Sequence, residues 1–232
     1  MKTLVIIPSR MSATRLPDKP LLKINGLSII SHVSKKAGEA NIGDVIVATE
    51  DQEIIDDVKS NGFNAILTSN KHKTGTDRIY EALKKSNVRD VDFIMNLQGD
   101  EPAIDIDDIK SLNDKMIKNN SNLGTLAAKI KDNKNLKNEN IVKVITQKSL
   151  DEYHFPKAVY FSRKSEQIDN IYHHIGIYCY SRDCLEKFVK LDQSKNELEN
   201  RLEQLRALDN NIDINVSLAK SSPIGVDTKE DY

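Results

Sequence analysis

The chain has 232 residues, 38% apolar and 30% charged, an ordinary balance for a globular protein that buries a core. Its 34 basic and 35 acidic side chains give a net charge of −1, which argues against nucleic-acid binding driven by bulk positive charge. No apolar stretch approaches the roughly 18 residues of a membrane span, and Met1–Lys2 leads into a short strand rather than a signal peptide, so neither nucleic acid nor membrane is expected as a partner.

Hydrophobic periodicity predicts strands that alternate with helices through the first hundred residues. The predicted strands are Thr3–Pro8, Asp44–Thr49, Ala65–Leu67 and Phe93–Leu97. The predicted helices are Ile29–Glu39, Asp51–Ser60, Thr76–Lys85 and Ile106–Asn119. Ser28 is a natural N-cap for the first helix, and Asn61–Gly62 is a typical C-cap for the second. This alternation predicts an α/β fold with a mainly parallel sheet flanked by helices.

The pattern changes between about residues 123 and 180, where four strands are predicted with no convincing helix between them. These strands are Leu123–Ile130, Ile141–Thr146, Ala158–Phe161 and His174–Tyr180, with Lys131–Asn140 as a polar loop. We interpret the region as an antiparallel excursion that extends the sheet or forms a subunit contact. Helices Arg182–Lys190 and Glu197–Asp209 and strand Asp213–Val216 follow. No linker separates the halves, so a single domain spanning residues 1–232 is predicted.

The two cysteines, Cys179 and Cys184, do not have metal-ligand spacing. Cys179 lies in an alternating strand pattern, which indicates a buried, reduced thiol. Such a thiol fits a reducing cytoplasm.

The loop after the first strand carries three cations, Arg10, Arg15 and Lys19, together with Pro17 and Pro20. A stiff cationic loop at the carboxyl edge of a parallel sheet is typical of a phosphate site. A solvated basic turn fits the same spacing, but polyphosphate binding is the favoured interpretation.

Two carboxylates follow glycine-bearing loops, Asp100 after the fourth strand and Asp227 near the end of the chain. Mg²⁺ takes one or two carboxylates and completes its octahedron with phosphate oxygens and water, so the two residues form a candidate metal site. An acidic turn at Asp100 and a capped helix start at Asp227 are the alternatives.

Two further segments are candidate ligand contacts. Gln98 is a candidate for hydrogen bonding to the edge of a base or a sugar. Lys73–Arg78 follows a strand and opens a helix, where it either binds a nucleotide or anion or serves only as a capping sequence.

In the second half, one strand face carries His174, Gly176, Tyr178 and Tyr180. Such a polar and aromatic face suits a sugar-binding wall or a solvent-facing strand, and without context the solvent-facing strand is slightly favoured. Further on, the spacing of Glu203 and Arg206 fits a surface ion pair.

These segments, in this order, resemble the 3-deoxy-manno-octulosonate cytidylyltransferases, or CMP-Kdo synthetases, over nearly the whole chain. The matching segments are Ile7–Leu21, Ile46–Asp51, Thr74–Arg78, Asn96–Pro102, Tyr160–Arg163, His174–Tyr178, Leu202–Arg206 and Gly225–Thr228. The amino-terminal loop alone matches sugar nucleotidyltransferases generally, and the later segments narrow the resemblance to this family.

The resemblance implies a nucleotide-diphospho-sugar transferase-like fold and a Mg²⁺-dependent enzyme. The implied reaction transfers CMP from CTP to the anomeric 2-hydroxyl of 3-deoxy-D-manno-octulosonate (Kdo), releasing pyrophosphate, for lipopolysaccharide synthesis. The enzyme is expected to be cytoplasmic and homodimeric, with residues 123–180 on the sugar side and as the candidate dimer contact.

The resemblance also implies roles for individual residues. The implied catalytic residues are Arg10, Lys19, Asp100 and Asp227, of which Asp100 and Asp227 would ligate Mg²⁺. The implied nucleotide-binding residues are Arg10, Ser12, Arg15, Lys19, Thr74, Gly75 and Gln98. The implied substrate-binding residues are Arg78, Gln98, Arg163, His174, Tyr178, Glu203 and Gln204.

The sequence departs from the family pattern at three places. The loop Lys164–Asn170 is shorter than usual and contains no proline, and the segments 195–197 and 200–201 differ before Leu202. The chain ends at Tyr232, where the family usually continues into a terminal helix. Because the first two departures touch the sugar side, a cytidylyltransferase for 8-amino-Kdo or a nine-carbon sialic-type acid stays an alternative. A non-catalytic nucleotide-binding relative is the alternative from another class.

Overall fold

The computed structural model describes residues 1–12, 16–130, 132–164, 169–223, 225–226 and 228–232. The chain forms two compact units, one of residues 1–110 with 223–232 and one of residues 111–222. That all 232 residues act as one cytidylyltransferase domain stays a prediction. Within the described chain, no helix has both the length and the apolar character needed to cross a bilayer.

The first unit is built on parallel strands. In chain order its elements are β1 Thr3–Ser9, a 3₁₀ turn Lys19–Leu21, β2 Lys23–Ile24, β3 Leu27–Ser28, α1 Ile29–Ala40, β4 Gly43–Thr49, α2 Gln52–Ser60, β5 Asn64–Leu67, α3 Gly75–Lys85, β6 Phe93–Asn96 and the start of α4 Ile106–Asn119. Strands β6, β1, β4 and β5 pair in parallel in that order, which confirms the predicted sheet. Leu4–Ile7 in β1 is fully buried, as expected for a parallel strand covered on both faces.

Local capping residues determine where the helices of this unit begin and end. The Ser28 side chain accepts a hydrogen bond from the Ser31 N–H, as predicted for an N-cap. Gly62 follows α2 with φ of +82°, a left-handed conformation that glycine adopts at little cost. Thr74 caps α3 by accepting from the Asp77 N–H at 3.2 Å.

The second unit is largely antiparallel. Its elements, after the end of α4, are β7 Leu123–Ala128, α5 Asn133–Lys137, β8 Lys143–Thr146, β9 Ala158–Ser162, β10 Ile171–Ser181, α6 Arg182–Phe188, α7 Lys195–Asn200, α8 Leu205–Asp209 and β11 Asn215–Leu218. Strand β10 pairs antiparallel with β7 and β8, and β8 pairs antiparallel with β9. Strand β11 is parallel to β7. The predicted antiparallel excursion is confirmed, and Cys179 within it is a buried free thiol.

Three predictions for the second unit are corrected. The helix predicted over Glu197–Asp209 is two helices, because Arg201 adopts φ of +53° and ends α7. The polar loop predicted over Lys131–Asn140 contains α5, whose N-cap Asp132 accepts from the Lys134 N–H. The last strand lies two residues later than predicted, because pairing with β7 sets its register.

Candidate functional site

The first unit contains a cavity of about 390 Å³ at the carboxyl end of β1 and the N-terminus of α3. Eight predicted site residues line it: Arg10, Ser12, Lys19, Thr74, Gly75, Arg78, Gln98 and Asp100. Arg10, Lys19, Lys73 and Arg78 contribute four cationic side chains, whereas Asp100 is the only carboxylate in the lining among the described residues. This charge distribution is complementary to a polyphosphate accompanied by a cation.

Lys19 and Asp100 form an ion pair inside this cavity. The Lys19 Nζ lies 2.8 Å from Asp100 Oδ2, and the two side chains are 15% and 35% exposed. Lys19 begins the 3₁₀ turn that Pro20 continues, and Asp18 before it is in the left-handed conformation. Two residues 81 positions apart are therefore brought together at one end of the sheet.

Backbone contacts hold the loops around this pair. A Cβ at Gly99 would lie 3.0 Å from the Pro8 carbonyl oxygen, so glycine permits the loop after β6 to approach the end of β1 closely. The Val226 N–H donates to the Asp100 carbonyl oxygen at 2.9 Å, which joins the last segment of the chain to this loop. The Met11 N–H donates to Asp51 Oδ2 at 2.8 Å and fastens the loop after β1.

Arg78 is held by the protein itself. It is buried, pairs with Glu50 and donates to Thr68 Oγ1 at 2.6 Å. Although it lines the cavity, much of its donor capacity is already used. Glu50 lies in the matched segment Ile46–Asp51, but nothing in the sequence identified it as the partner of Arg78.

His72, which the prediction did not include, also lines the cavity, as does Lys73, which belongs to the predicted segment Lys73–Arg78 but not to the predicted site residues. His72 contacts Glu81 of α3, and Glu81 also accepts from the Ser69 N–H at 2.9 Å. Burial by itself raises the pKa of Glu81, but hydrogen bonds from Lys85, Ser69 and His72 outweigh it and lower the pKa to about 2. The available sequence signal was the position of Lys73 directly before the N-cap Thr74.

A row of aromatic rings in the second unit contains two of the predicted sugar residues. His174 lies 5.0 Å from Phe161 and 5.5 Å from Tyr178 between ring centroids. Tyr178 in turn lies 6.1 Å from Tyr180, which contacts Phe188 at 5.9 Å. His174, Tyr178 and Tyr180 therefore share one face of β10, as predicted.

This face is not exposed to solvent, so the favoured solvent-facing interpretation is wrong. His174 is 7% exposed and Tyr180 is 3% exposed. Burial, and after it the proximity of His173, lowers the pKa of His174 to about 3. Burial, with the neighbouring Tyr180 and Glu203, raises the pKa of Tyr178 well above its usual value. The ring of His174 is thus neutral near pH 7.

The predicted ion pair of Glu203 and Arg206 is present, but its predicted location at the surface is wrong. Arg206 is buried and forms a bidentate pair with Glu197, through Nε to Oε2 at 2.7 Å and Nη2 to Oε1 at 2.5 Å. Its guanidinium also lies 4.7 Å from the Phe188 ring centroid. Glu203 is 3.7 Å from Arg206. The partner was missed because α7 and α8 were predicted as one helix, which hid the turn that brings Glu197 back to Arg206.

The two remaining sugar-side residues differ in their surroundings. Gln204 is buried at the start of α8. Arg163 is half-buried, donates from Nη1 to the Glu139 carbonyl oxygen at 3.3 Å, and accepts at its own carbonyl from Lys143 Nζ at 2.7 Å. The described contacts of Arg163 go to these residues rather than to His174 or Tyr178.

Two predicted site residues, Arg15 and Asp227, lie outside the described residues, as does most of the departing loop at positions 165–168. The predicted pairing of Asp100 with Asp227 at one metal ion therefore stays a prediction. Among the described residues, no group of three or more His, Cys, Asp or Glu side chains is arranged to hold a metal.

Comparisons with known proteins match nearly the full chain. The family model for cytidylyltransferases matches residues 4–214. A relative named 3-deoxy-manno-octulosonate cytidylyltransferase, from Brucella ovis, is 41% identical over 234 aligned positions, covering 100% of this chain and 93% of the relative.

Solved structures give the same picture of the fold. The structure of CMP:2-keto-3-deoxy-manno-octonic acid synthetase complexed with CTP has a TM-score of 0.90 at 34% identity, covering 99% of this chain and 95% of that one. UDP-glucose pyrophosphorylase complexed with UDP-glucose has a TM-score of 0.72 at 18% identity, covering 100% and 96% respectively, which shows a shared fold alone.

Proposed function

Because this chain belongs to the 3-deoxy-manno-octulosonate cytidylyltransferase family, we propose that it transfers CMP from CTP to the anomeric 2-hydroxyl of Kdo and releases pyrophosphate. The observation that carries the proposal is the cavity of the first unit, where four cationic side chains accompany the carboxylate of Asp100. A triphosphate needs such cations, and a triphosphate-bound metal needs such a carboxylate. The CTP bound to the 34% identical relative supports the same nucleotide here.

The nucleotide would bind along the loops that line this cavity. Arg10 and Lys19, with Ser12 and Arg15 supporting the loop, would hold the triphosphate. Thr74, Gly75 and Gln98 would contact the nucleotide, since backbone N–H groups and hydroxyls at the start of α3 favour anionic or polar ligand atoms.

The residues present fit a magnesium ion. Asp100 is a partly exposed carboxylate in a cavity suited to phosphates, and Mg²⁺ commonly uses only one or two protein carboxylates. We propose that Asp100 and Asp227 would hold it. When bound, Mg²⁺ neutralises phosphate charge and lowers the pKa of a nearby hydroxyl.

The protein's own contribution is positioning and electrostatic stabilisation. The sugar 2-hydroxyl would attack the α-phosphorus in line with the departing pyrophosphate, forming the new phosphorus–oxygen bond as the bond to the leaving oxygen breaks. Arg10 and Lys19 would stabilise the charge that accumulates on pyrophosphate. The Lys19 Nζ lies 2.8 Å from Asp100 Oδ2, so this cation is next to the carboxylate proposed for Mg²⁺.

On the sugar side, Kdo presents one carboxylate and several hydroxyls. Arg163 would pair with the carboxylate, and His174, Tyr178, Glu203 and Gln204 would bind the hydroxyls, with Arg78 and Gln98 as further contacts. His174 is buried and Tyr178 is half-buried in an aromatic environment, where a hydrogen bond to substrate is worth more than at an exposed site.

We also propose that the enzyme is a cytoplasmic homodimer whose product enters lipopolysaccharide synthesis, with residues 123–180 contributing to the dimer contact. Light scattering of the purified protein tests the dimer, because a monomeric mass at micromolar concentration would contradict it.

Pyrophosphate release with CTP and Kdo tests the activity directly. We expect turnover with CTP and Mg²⁺ and little with UTP, ATP or GTP. No release with any nucleotide or sugar acid would favour the non-catalytic alternative.

A competition of Kdo against 8-amino-Kdo and a nine-carbon sialic acid tests the sugar. Glu203 is the residue to examine, since a carboxylate accepts from hydroxyls and also stabilises an ammonium group. We expect Kdo to be preferred. A preference for 8-amino-Kdo that disappears in Glu203→Gln would change the substrate while leaving cytidylyl transfer in place.

A further inference from the structure

The pairing of β10 with β7 is interrupted beside His174. Ile175 lies opposite Leu126, and Tyr178 lies opposite the next residue of β7, Thr125. Gly176 and Ile177 thus have no counterpart in β7 and form a bulge. Bulges redirect side chains next to functional sites, and this one lies between the two predicted sugar residues of the strand.

The fully buried hydroxyl of Thr125 lies inside the bulge. Its Oγ1 is 2.7 Å from the Ile177 carbonyl oxygen, 3.2 Å from that of Ile175 and 3.0 Å from His174 Nε2. A hydroxyl has one proton to donate, and a carbonyl oxygen has none. Two oxygens 2.7 Å apart need a proton between them, so Thr125 donates to Ile177.

With its proton committed to Ile177, Thr125 Oγ1 is an acceptor toward His174. Nε2 must therefore carry the hydrogen of the neutral ring, which leaves Nδ1 as a lone-pair acceptor. No hydrogen bond from the described residues reaches Nδ1, and the His174 side chain is almost completely buried. Nδ1 is not among the fully buried unpaired atoms, so this acceptor is open to a donor on a ligand.

We propose that Thr125 is a positioning residue that fixes His174 as the Nε2–H tautomer, so that Nδ1 accepts a hydrogen bond from a hydroxyl of the sugar substrate. This inference rests on the proposed function for the location of His174 at the sugar. It assigns His174 to a hydroxyl and not to the sugar carboxylate, because the neutral ring has no N–H at Nδ1.

Nitrogen NMR of the free protein tests the tautomer without any reaction. In ¹⁵N-histidine-labelled protein, the His174 signals are assigned by their loss in His174→Gln. We expect the Nε2–H form in the wild type and in Thr125→Ser, and a mixed or Nδ1–H form in Thr125→Val. Thr146→Val is the matched control, since Thr146 is also buried and donates to a backbone carbonyl, at 2.8 Å to Lys148.

An Nδ1–H tautomer in the wild type overturns the proposal, and so does a Thr125→Val protein with an unchanged tautomer. If Thr125→Val does not fold, the wild-type and Thr125→Ser spectra decide. The NMR measurement does not depend on activity, so it reports the tautomer even if the protein fails to transfer CMP to Kdo. Failure of the proposed function is therefore distinguishable from failure of the tautomer assignment.

Kinetics test the consequence for the sugar. Thr125→Val should raise the KM for Kdo roughly five- to tenfold, the value of one hydrogen bond, and leave the KM for CTP unchanged. Monodeoxy analogues of Kdo identify the hydroxyl that donates to His174 Nδ1. The analogue without that hydroxyl cannot form the hydrogen bond in either protein, so the wild type and Thr125→Val should have the same KM for it. Equal sensitivity of every analogue to the substitution would overturn the hydroxyl assignment.

Discussion

Lys19 combines a restrained backbone with a charged contact at the cavity. Replacing it by alanine removes a cation whose interaction strengthens as pyrophosphate leaves, so we expect kcat to fall at least about tenfold, by more than the KM for CTP rises. Lys23→Ala is the matched control, since that side chain is exposed. Steady-state kinetics with varied CTP distinguish the two effects, and a change confined to KM would assign Lys19 to uniform substrate binding.

Also at the residue scale, substitutions of Asp100 and Asp227 test the proposed magnesium site. Asp100→Asn and Asp227→Asn should each lower turnover on the order of 100-fold, because each removes a negative charge from a site that concentrates a cation against phosphate. Thermal unfolding should be nearly unchanged. Exposed Asp114→Asn is the control. Near-wild-type turnover of both variants at saturating Mg²⁺ would contradict the shared-ion proposal.

At the scale of elements, Glu81 connects α3 to the loop that lines the cavity. Its carboxylate accepts from the Ser69 N–H at 2.9 Å, contacts His72 and pairs with Lys85 at 2.6 Å. The pKa of Glu81 is about 2 in the folded protein against an ordinary 4.5. A lowered folded pKa means that the ionised form stabilises the fold above pH 4.5, and that this contribution is lost as the pH falls toward 2.

Glu81→Gln should therefore lower the free energy of unfolding by about 2 kcal/mol near neutral pH, and by progressively less below pH 4.5. Urea unfolding of the wild type and of Glu81→Gln, at several pH values from about 2.5 to about 7, measures the difference in the free energy of unfolding. Glu152→Gln, in an exposed turn, is the control. A difference that does not shrink with acid would show that the carboxylate charge is not the stabilising feature.

The prediction of elements from sequence succeeded where the pattern was local. Helix α4 was predicted with the bounds it has, and Ser28 caps α1 as expected, because periodicity and capping depend on neighbouring residues. The prediction of one helix over 197–209 failed, since Arg201 is left-handed and ends α7, and the residue type does not predict this; Leu202 and Arg206 beyond it are buried. Arginine is an uncommon residue in that conformation.

At the scale of the whole molecule, nucleotide binding should raise the stability of the folded protein. CTP with Mg²⁺ at about 100 times its dissociation constant should stabilise the protein by about 2.7 kcal/mol, which corresponds to a rise of roughly 5–10 °C in Tm. Differential scanning fluorimetry measures the shift. UTP, ATP and GTP at the same concentration should give smaller shifts, and Arg10→Ala should reduce the CTP shift. Equal shifts for all four nucleotides would contradict cytosine selectivity.

The sequence by itself determined the alternation of strands and helices, the cationic loop after β1 and the carboxylate after β6. Parallel strands place their carboxyl ends at one edge, so the loops after β1 and β6, which carry Lys19 and Asp100, are expected at the same edge of the sheet. These features could be predicted because hydrophobic periodicity, turn residues and strand order are properties of the chain read along its length.

Only the tertiary structure decided how the site residues are paired and buried. Arg78 pairs with Glu50, Arg206 with Glu197, and the ring of His174 with Thr125, 49 positions away. The bulge that brings Thr125 to His174 arises from the pairing of two strands, and Gly176 within the strand is its one sequence signal among the described residues. Burial and hydrogen-bond partners depend on which chain segments pack together, and they determine the charge of His174 and the location of its proton.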